Sequence, residues 1–145
     1  MAFTIHTQVR IQAPATRVWN ILMDFDSYLD WNPFIKSIQG QAVLGAKLKA
    51  LIHLPGNKPM TFKPTVMSLV NEKELSWLGH LGIKGIFDGH HRFVLKSISP
   101  NETVLEHSEE FRGILIPFFR KNLEKNTQEG FEAMNQALKQ RAERL

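Results

Sequence analysis

Cysteine is absent from this sequence of 145 residues. Its absence excludes disulfide bonds and zinc–thiolate sites, and it fits a reducing compartment, so we expect a cytoplasmic protein. No apolar run approaches the roughly 20 residues that a membrane-spanning helix needs, and the first residues lack the basic and apolar regions of a signal peptide. We therefore expect no stable membrane insertion.

Sequence motifs for nucleotide binding, nucleophilic catalysis and metal binding are also lacking. The chain contains no Gly-x-Ser-x-Gly, no Gly-x-Gly-x-x-Gly, no Walker pattern and no His-Glu-x-x-His. We expect no metal and no cofactor. The net charge is +4, but the basic residues are spread along the chain instead of clustering as they do on nucleic-acid surfaces. We expect no nucleic-acid partner.

What is present predicts a single domain, residues 1–145, in which 43% of the residues are hydrophobic and ten are phenylalanine. Residues 3–12 alternate between apolar and polar, which predicts a half-buried strand. Pro14 suits the start of a first helix, and residues 24–30 predict a second, short one. Period-two segments then predict strands at 34–41, 46–54, 60–70, 73–80, 86–97 and 103–113.

After Pro117 the pattern changes to one long amphipathic helix. Its apolar stripe consists of Phe119, Leu123, Thr127, Phe131, Met134, Leu138 and Leu145. The predicted fold class is α+β, in the order β-α-α-β6-α, with a curved antiparallel sheet of about seven strands wrapped around the C-terminal helix. A sheet that grips a helix in this way leaves a hollow between them.

Polar residues interrupt the apolar face of the last two strands. Strand parity places His91 on the inward face with Phe93, and Glu109 on the inward face with His107 and Phe111. The turn at 99–101 would place His91 opposite Glu109, and Phe93 opposite His107.

Two interpretations of this polar group remain open. His91, His107 and Glu109 could converge on a cavity wall, where they would bind the polar end of a ligand or act as general acid and base. Alternatively, His91 and Glu109 could satisfy each other inside a wide sheet. Because His90 points to the opposite face, the histidine pair is not a chelating unit. We expect His6, His53 and His80 to face solvent.

The order of elements, with several short segments, resembles the START/Bet v 1-like superfamily of helix-grip proteins, and within it the polyketide cyclase/dehydrase branch, also called SRPBCC. The segments that carry the resemblance are 11–19, 28–34 (Tyr-Leu-Asp-Trp-Asn-Pro-Phe), 91–93, 109–113 and 130–135. The match as a whole extends over nearly the entire chain. The family spans lipid carriers, receptors, cyclases and chaperone co-activators, so the resemblance implies the fold more than the function.

The resemblance implies that Trp31 helps close one end of the cavity, although core packing explains this tryptophan equally well. Trp77 faces inward and could shape the cavity or fill it. We expect the following residues to contact a ligand: Trp31, Trp77, Phe87, His91, Phe93, His107, Glu109, Phe111 and Phe131. The segments 82–86 and 113–119 are candidate gates.

Three functions are compatible with these features. The first is binding of a small hydrophobic or amphipathic molecule, such as a lipid, a polyketide-like compound or an aromatic compound, by a monomer or a homodimer. The second is a cyclase/dehydrase or hydrolase-type enzyme that uses Glu109 and His91 for proton transfer, which requires a base free to reach the substrate. The third is a protein-interaction module whose cavity is filled by aromatic side chains.

Overall fold

The computed structural model describes residues 2–80 and 83–144. Within these ranges the chain forms eight strands and three α-helices, with a short 3-10 helix, Phe25–Ser27, ahead of the second α-helix. The elements are β1 (Ala2–Ile11), α1 (Ala15–Met23), α2 (Tyr28–Trp31), β2 (Ile35–Gln39), β3 (Lys49–Ile52), β4 (Met60–Phe62), β5 (Thr65–Val70), β6 (Glu74–His80), β7 (Asp88–Ser99), β8 (Glu102–Arg112) and α3 (Ile116–Glu143). The α+β helix-grip prediction is confirmed.

The strands form two antiparallel sheets. The larger has the order β1-β8-β7-β6-β5, and the smaller has the order β2-β3-β4. Backbone hydrogen bonds between residues 45–48 and the start of β5 join the two, among them Leu48 N–H to the Pro64 carbonyl at 2.7 Å. The single strand predicted at 60–70 is therefore two strands. Pro64 interrupts it, because proline lacks the N–H that a continuous ladder requires.

The C-terminal helix begins beside Pro117, as the change of pattern predicted, and proline suits a first helical turn. Its buried face includes Thr127, Phe131, Met134 and Leu138, and it packs against β1 and β8. Leu145, the last residue of the predicted stripe, lies outside the described residues. The helix therefore covers the concave face of the larger sheet with the face that the sequence pattern selects.

A tight turn connects the short helices to the smaller sheet. The Asn32 side-chain oxygen accepts hydrogen bonds from the backbone N–H groups of Phe34 (2.9 Å) and Ile35 (2.8 Å). These two bonds end α2 and direct Phe34 toward α3. There the phenylalanine ring packs edge-on against Phe131, and a Cβ built on Gly130 would lie 2.5 Å from it. A small residue at this helix position allows the close approach.

Candidate functional site

The hairpin of β7 and β8 places the polar residues as strand parity predicted. His91 pairs with Glu109, and Phe93 pairs with His107. Trp77 on β6 pairs with His91 from the other side. Since side chains alternate along a strand, all of these residues project from the concave face of the larger sheet.

A cavity of about 480 Å³ lies between the two sheets and the first half of α3. This volume is within the range of small-molecule binding sites, roughly 300–1,000 Å³. The wall is mostly apolar. It consists of Phe34, Ala50, Ile52, Leu54, Asn57, Met60, Phe62, Pro64, Trp77, Gly79, His80, Phe87, Gly89, His91, Glu109, Phe111, Leu115, Phe119, Asn122, Leu123, Asn126 and Thr127.

Glu109 is an acidic group in this apolar wall. Its side chain is 17% exposed, and burial raises the pKa of the Glu109 carboxyl to about 8. Gly89 faces it on the neighbouring strand, and a Cβ at that position would overlap Glu109 Oε2. The strand therefore leaves room for the carboxyl only because residue 89 has no side chain. At neutral pH the group is mainly a neutral carboxylic acid, which can donate a hydrogen bond as well as accept one.

His91 is the second ionisable group on this part of the wall. Its Nδ1 lies 3.8 Å from Glu109 Oε1, which is longer than a hydrogen bond, and its Nε2 lies 2.6 Å from Nε2 of His107. Burial and the neighbouring His107 lower the pKa of His91 well below its usual range. Both members of the Glu109–His91 pair are therefore held in their neutral forms.

His107 lies behind His91, away from the cavity. It is fully buried, its Nδ1 lies 2.8 Å from Asn135 Oδ1 on α3, and burial lowers the pKa of its imidazole to about 3. The prediction that His107 lies on the cavity wall is thus wrong. It contacts the wall residue His91 from the protein interior.

Five of the nine predicted ligand contacts line the cavity: Trp77, Phe87, His91, Glu109 and Phe111. Phe93 and Phe131, like His107, are fully buried in the core and do not line it. Phe93 and Phe131 lie against the rings of His91 and His107. Periodicity identified the inward face correctly, but it does not distinguish a side chain that meets a void from one that meets another side chain.

Trp31 also lies away from the cavity. Its ring packs edge-on against Tyr28 at 5.2 Å, and it contributes to a separate depression of about 510 Å³ between α1 and the end of α3. Tyr28 is fully buried, and its hydroxyl donates to the Leu22 carbonyl at 2.6 Å. Of the two interpretations of Trp31, packing within the helical segment describes its position.

Phe34 and His80 were not among the predicted contacts, and both line the cavity. Phe34 belongs to the Trp-Asn-Pro-Phe segment, but only the Asn32 turn directs it inward. His80 was expected to face solvent, yet it is half-buried, with its Nδ1 2.7 Å from Asp88 Oδ1. The helical stripe did carry a usable signal, because Phe119, Leu123 and Thr127 are its first three members.

The two candidate gates meet beside the cavity. The backbone N–H groups of Ile114 and Leu115 donate to the carbonyls of Gly85 and Ile86, at 3.2 and 3.1 Å. Gly113 has a φ of +139°, which favours glycine, and a Cβ there would overlap the Ile86 backbone. The two segments are therefore joined to each other. Gly82, at the start of the first predicted gate, lies outside the described residues.

Across residues 2–80 and 83–144, no group of three or more His, Asp or Glu side chains is arranged to hold a metal ion. Over that part of the chain, no helix combines the length and the apolar character that crossing a membrane requires.

Comparison with known proteins gives one family and many related folds. A family model described as polyketide cyclase / dehydrase and lipid transport matches residues 2–143. A START superfamily protein from Mycobacterium smegmatis is 23% identical, with 97% of each chain covered and a TM-score of 0.79. A Streptomyces aromatase/cyclase is 18% identical, with 99% of this chain and 95% of that chain covered and a TM-score of 0.81.

A third solved structure, truncated norcoclaurine synthase from Thalictrum flavum, is 18% identical. All of this chain (100%) and 96% of that chain are covered, with a TM-score of 0.75. No curated protein matches the sequence. At these identities the structural likenesses establish the fold.

Proposed function

The chain belongs to the polyketide cyclase / dehydrase and lipid transport family, and we propose that it binds a small hydrophobic or amphipathic molecule in the cavity between its sheets and α3. The observation that carries the proposal is a mostly apolar cavity of about 480 Å³ with the Glu109–His91 pair in its wall. Burial of apolar ligand surface would supply most of the affinity, and the polar pair would orient the ligand.

The composition of the wall favours ligands with a planar or chain-like apolar body. Trp77, Phe87 and Phe111 form an aromatic surface on the larger sheet, while aliphatic side chains from β3 and α3 lie opposite. Aromatic rings contribute large contact areas at a low entropic cost. An aromatic or polyketide-like compound therefore fits the described surface, and a short lipid chain fits the same volume.

The proposal is tested by native mass spectrometry of the purified protein, followed by mild organic extraction and by melting curves with a panel of lipids and polycyclic phenols. We expect either a retained small molecule or a rise in melting temperature, since a ligand that binds only the native state stabilises it. An empty protein whose melting temperature no compound shifts would contradict the proposal and favour an interaction module.

A matched pair of variants assigns the binding to the cavity. Leu123→Trp places a larger side chain in the wall, so we expect the retained molecule and the melting shift to be lost. Val70→Trp introduces the same side chain at an exposed position on β5, where binding should be unchanged. Equal effects of the two substitutions would place the ligand elsewhere on the protein.

Acid–base catalysis is a second candidate, favoured by the neutral carboxylic acid beside an imidazole inside the cavity. Such a pair could enolise a bound ketone. The imidazole nitrogen would take a proton from the carbon next to the carbonyl, while the carboxylic acid would donate its proton to the carbonyl oxygen.

The test uses β-tetralone in deuterium oxide as a probe of this chemistry. We expect the native protein to catalyse exchange of the hydrogens next to the carbonyl, measured by NMR, and the Glu109→Gln variant to lose most of this activity. Exchange at the same rate in both proteins would remove Glu109 from the reaction and leave ligand binding as the function.

A further inference from the structure

A chain of buried polar groups runs from β1 through α3 to the cavity wall. It consists of Thr7, Asn135, His107 and His91, and each contact between these four side chains is 2.6–2.9 Å long. All four residues are buried. Because each group has a fixed number of donors and acceptors, the chain determines where the hydrogen atoms lie.

The direction of the hydrogen bonds along this series of side chains is set by Thr7, at its inner end. The Thr7 hydroxyl donates to the backbone carbonyl of His107 at 2.8 Å, which uses its only hydrogen. It therefore accepts from Asn135 Nδ2, at 2.9 Å. This orients the Asn135 amide with its oxygen toward Nδ1 of His107, at 2.8 Å. An amide oxygen only accepts, so the hydrogen of His107 lies on Nδ1.

The tautomer of His91 follows from that of His107. With its hydrogen on Nδ1, neutral His107 has a bare Nε2, and this atom lies 2.6 Å from Nε2 of His91. The ring centroids are 4.8 Å apart, so the two rings meet edge to edge, with these nitrogens between them. His91 must then donate from Nε2. In its neutral form its Nδ1, the nitrogen on the Glu109 side, carries no hydrogen.

Aromatic packing keeps the histidine rings of this hydrogen-bonded series in this orientation. The His107 ring lies nearly parallel to Phe131, with centroids 3.9 Å apart, and it also stacks against Phe93 at 4.5 Å. A half-turn of the ring would put Cδ2 in the place of Nδ1 and Cε1 in the place of Nε2, breaking both hydrogen bonds, and it would have to displace these aromatic contacts. The helix residue Asn135 thus acts on the cavity through His107 without touching a ligand.

We propose that Asn135 and His107 are positioning residues that hold His91 with its hydrogen on Nε2, and that the cavity consequently selects ligands that carry a hydroxyl group. The bare Nδ1 of His91 is an acceptor, and the neutral Glu109 carboxyl is a donor 3.8 Å away. One hydroxyl oxygen can lie about 2.8 Å from both, donating to the first and accepting from the second. The selectivity rests on the proposed ligand-binding function.

The first experiment needs no ligand. Long-range proton–nitrogen NMR spectra of the full chain, with isotope-labelled histidine, identify which ring nitrogens carry hydrogen. We expect His91 to be protonated on Nε2 and His107 on Nδ1 at neutral pH. A His91 ring with its hydrogen on Nδ1 would overturn the proposal.

The second experiment compares β-naphthol with its methyl ether, which has the same ring system but no donor. We expect the native protein to bind β-naphthol about tenfold more tightly, because the ether leaves the acceptor on His91 unpaired. In Asn135→Leu this preference should fall to about twofold or less, while affinity for the ether changes little. A purely structural role for Asn135 would weaken both compounds equally and would contradict the assignment.

Two further variants keep the test decisive if Asn135→Leu does not fold. Thr7→Val removes the hydroxyl that orients the Asn135 amide, and Thr7→Ser retains it. We expect only Thr7→Val to reduce the preference for the naphthol and to yield mixed histidine tautomers. If neither compound binds the native protein, the ligand selectivity is overturned together with the proposed function, whereas the NMR spectrum still decides the positioning role on its own.

Discussion

At the scale of single residues, the Glu109 carboxyl ionises very differently from that of a solvent-exposed glutamate. Its side chain lies beside His91 on the neighbouring strand, and among the described residues His80 is the other ionisable group in the same wall. The pKa of Glu109 is raised to about 8 because burial penalises the carboxylate. The neutral acid is therefore the form that suits both the fold and the proposed hydrogen bond to a hydroxyl ligand.

This shift predicts a pH-dependent difference in stability between the native protein and Glu109→Gln. The folded-state pKa lies above the unfolded value of 4.5, so the unfolded chain releases its proton first. Stability contributed by the neutral acid is complete below pH 4.5 and is lost as pH rises to about 8. Glutamine mimics the neutral acid and escapes this loss. In urea unfolding, the free energy of unfolding of the variant, relative to that of the native protein, should increase by a few kcal/mol between pH 5 and pH 8.5.

The control for this measurement is Glu110→Gln on the neighbouring, outward face, where Arg112 lowers the pKa of Glu110. The free energy of unfolding of that variant should not increase relative to that of the native protein at high pH. Parallel pH profiles for the native protein and Glu109→Gln would mean that the Glu109 carboxyl titrates normally.

A pair of glycines that face each other across β6 and β7 gives a second prediction at this scale. Gly79 pairs with Gly89 in the register, but only Gly89 has no room for a Cβ, because Glu109 occupies that space. Gly89→Ala should displace the end of the Glu109 side chain and so weaken ligand binding, while the free energy of unfolding, measured with urea, falls by only about 1 kcal/mol. Gly79→Ala, whose Cβ would meet Pro64 at an ordinary 3.6 Å, should leave the Glu109 carboxyl in place and the free energy of unfolding nearly unchanged.

At the scale of elements, the turn after α2 connects the short helices to the cavity. The Asn32 side chain is buried and accepts two backbone hydrogen bonds, which fix the position of Phe34 between α3 and the cavity. The sequence indicated that this segment matters, but it pointed to Trp31. The tryptophan is the larger side chain, whereas the asparagine is the residue that sets the direction of the chain.

Asn32→Ala should therefore lower stability by roughly 2 kcal/mol, because it leaves two buried N–H groups without their acceptor. Asn32→Asp retains the acceptor oxygens, so its stability should fall by less. Urea unfolding measures both, and the chemical shifts of the Phe34 ring report whether the turn moves. Equal losses in the two variants would show that the side-chain oxygen does not hold the turn.

At the scale of the whole molecule, α3 spans two different environments. Residues 116–127 lie over the cavity, and residues 130–142 pack on a filled core that includes Phe131, Met134 and Leu138. One continuous helix thus joins a region able to admit a ligand to a region that holds the fold together. Asn135 belongs to the second region and is connected to the first only through the hydrogen bonds of His107 and His91.

Hydrogen exchange should reveal this division. We expect the amides of residues 119–126 to exchange faster than those of 131–140, because fewer buried contacts oppose local opening over the cavity. A bound ligand should slow exchange in the first group and leave the second nearly unchanged. Uniform protection along α3, with or without ligand, would contradict this description of the helix.

The sequence alone determined the element order, the inward faces and the pairing of His91 with Glu109. These features follow from the two-residue period of strands, the helical period and the length of a hairpin turn, all of which are local. It did not determine that Pro64 divides a strand between two sheets, because either arrangement preserves the alternation.

Only the tertiary structure decided which inward residues meet a void. Phe87 and Phe111 line the cavity, whereas Phe93 and Phe131 fill the core, although the sequence pattern treats all four alike. The difference depends on where α3 and the distant Phe34 lie above the sheet. The same long-range placement brings Asn135 to His107. Periodicity specifies the face of an element, while the space above that face depends on residues far away in the chain.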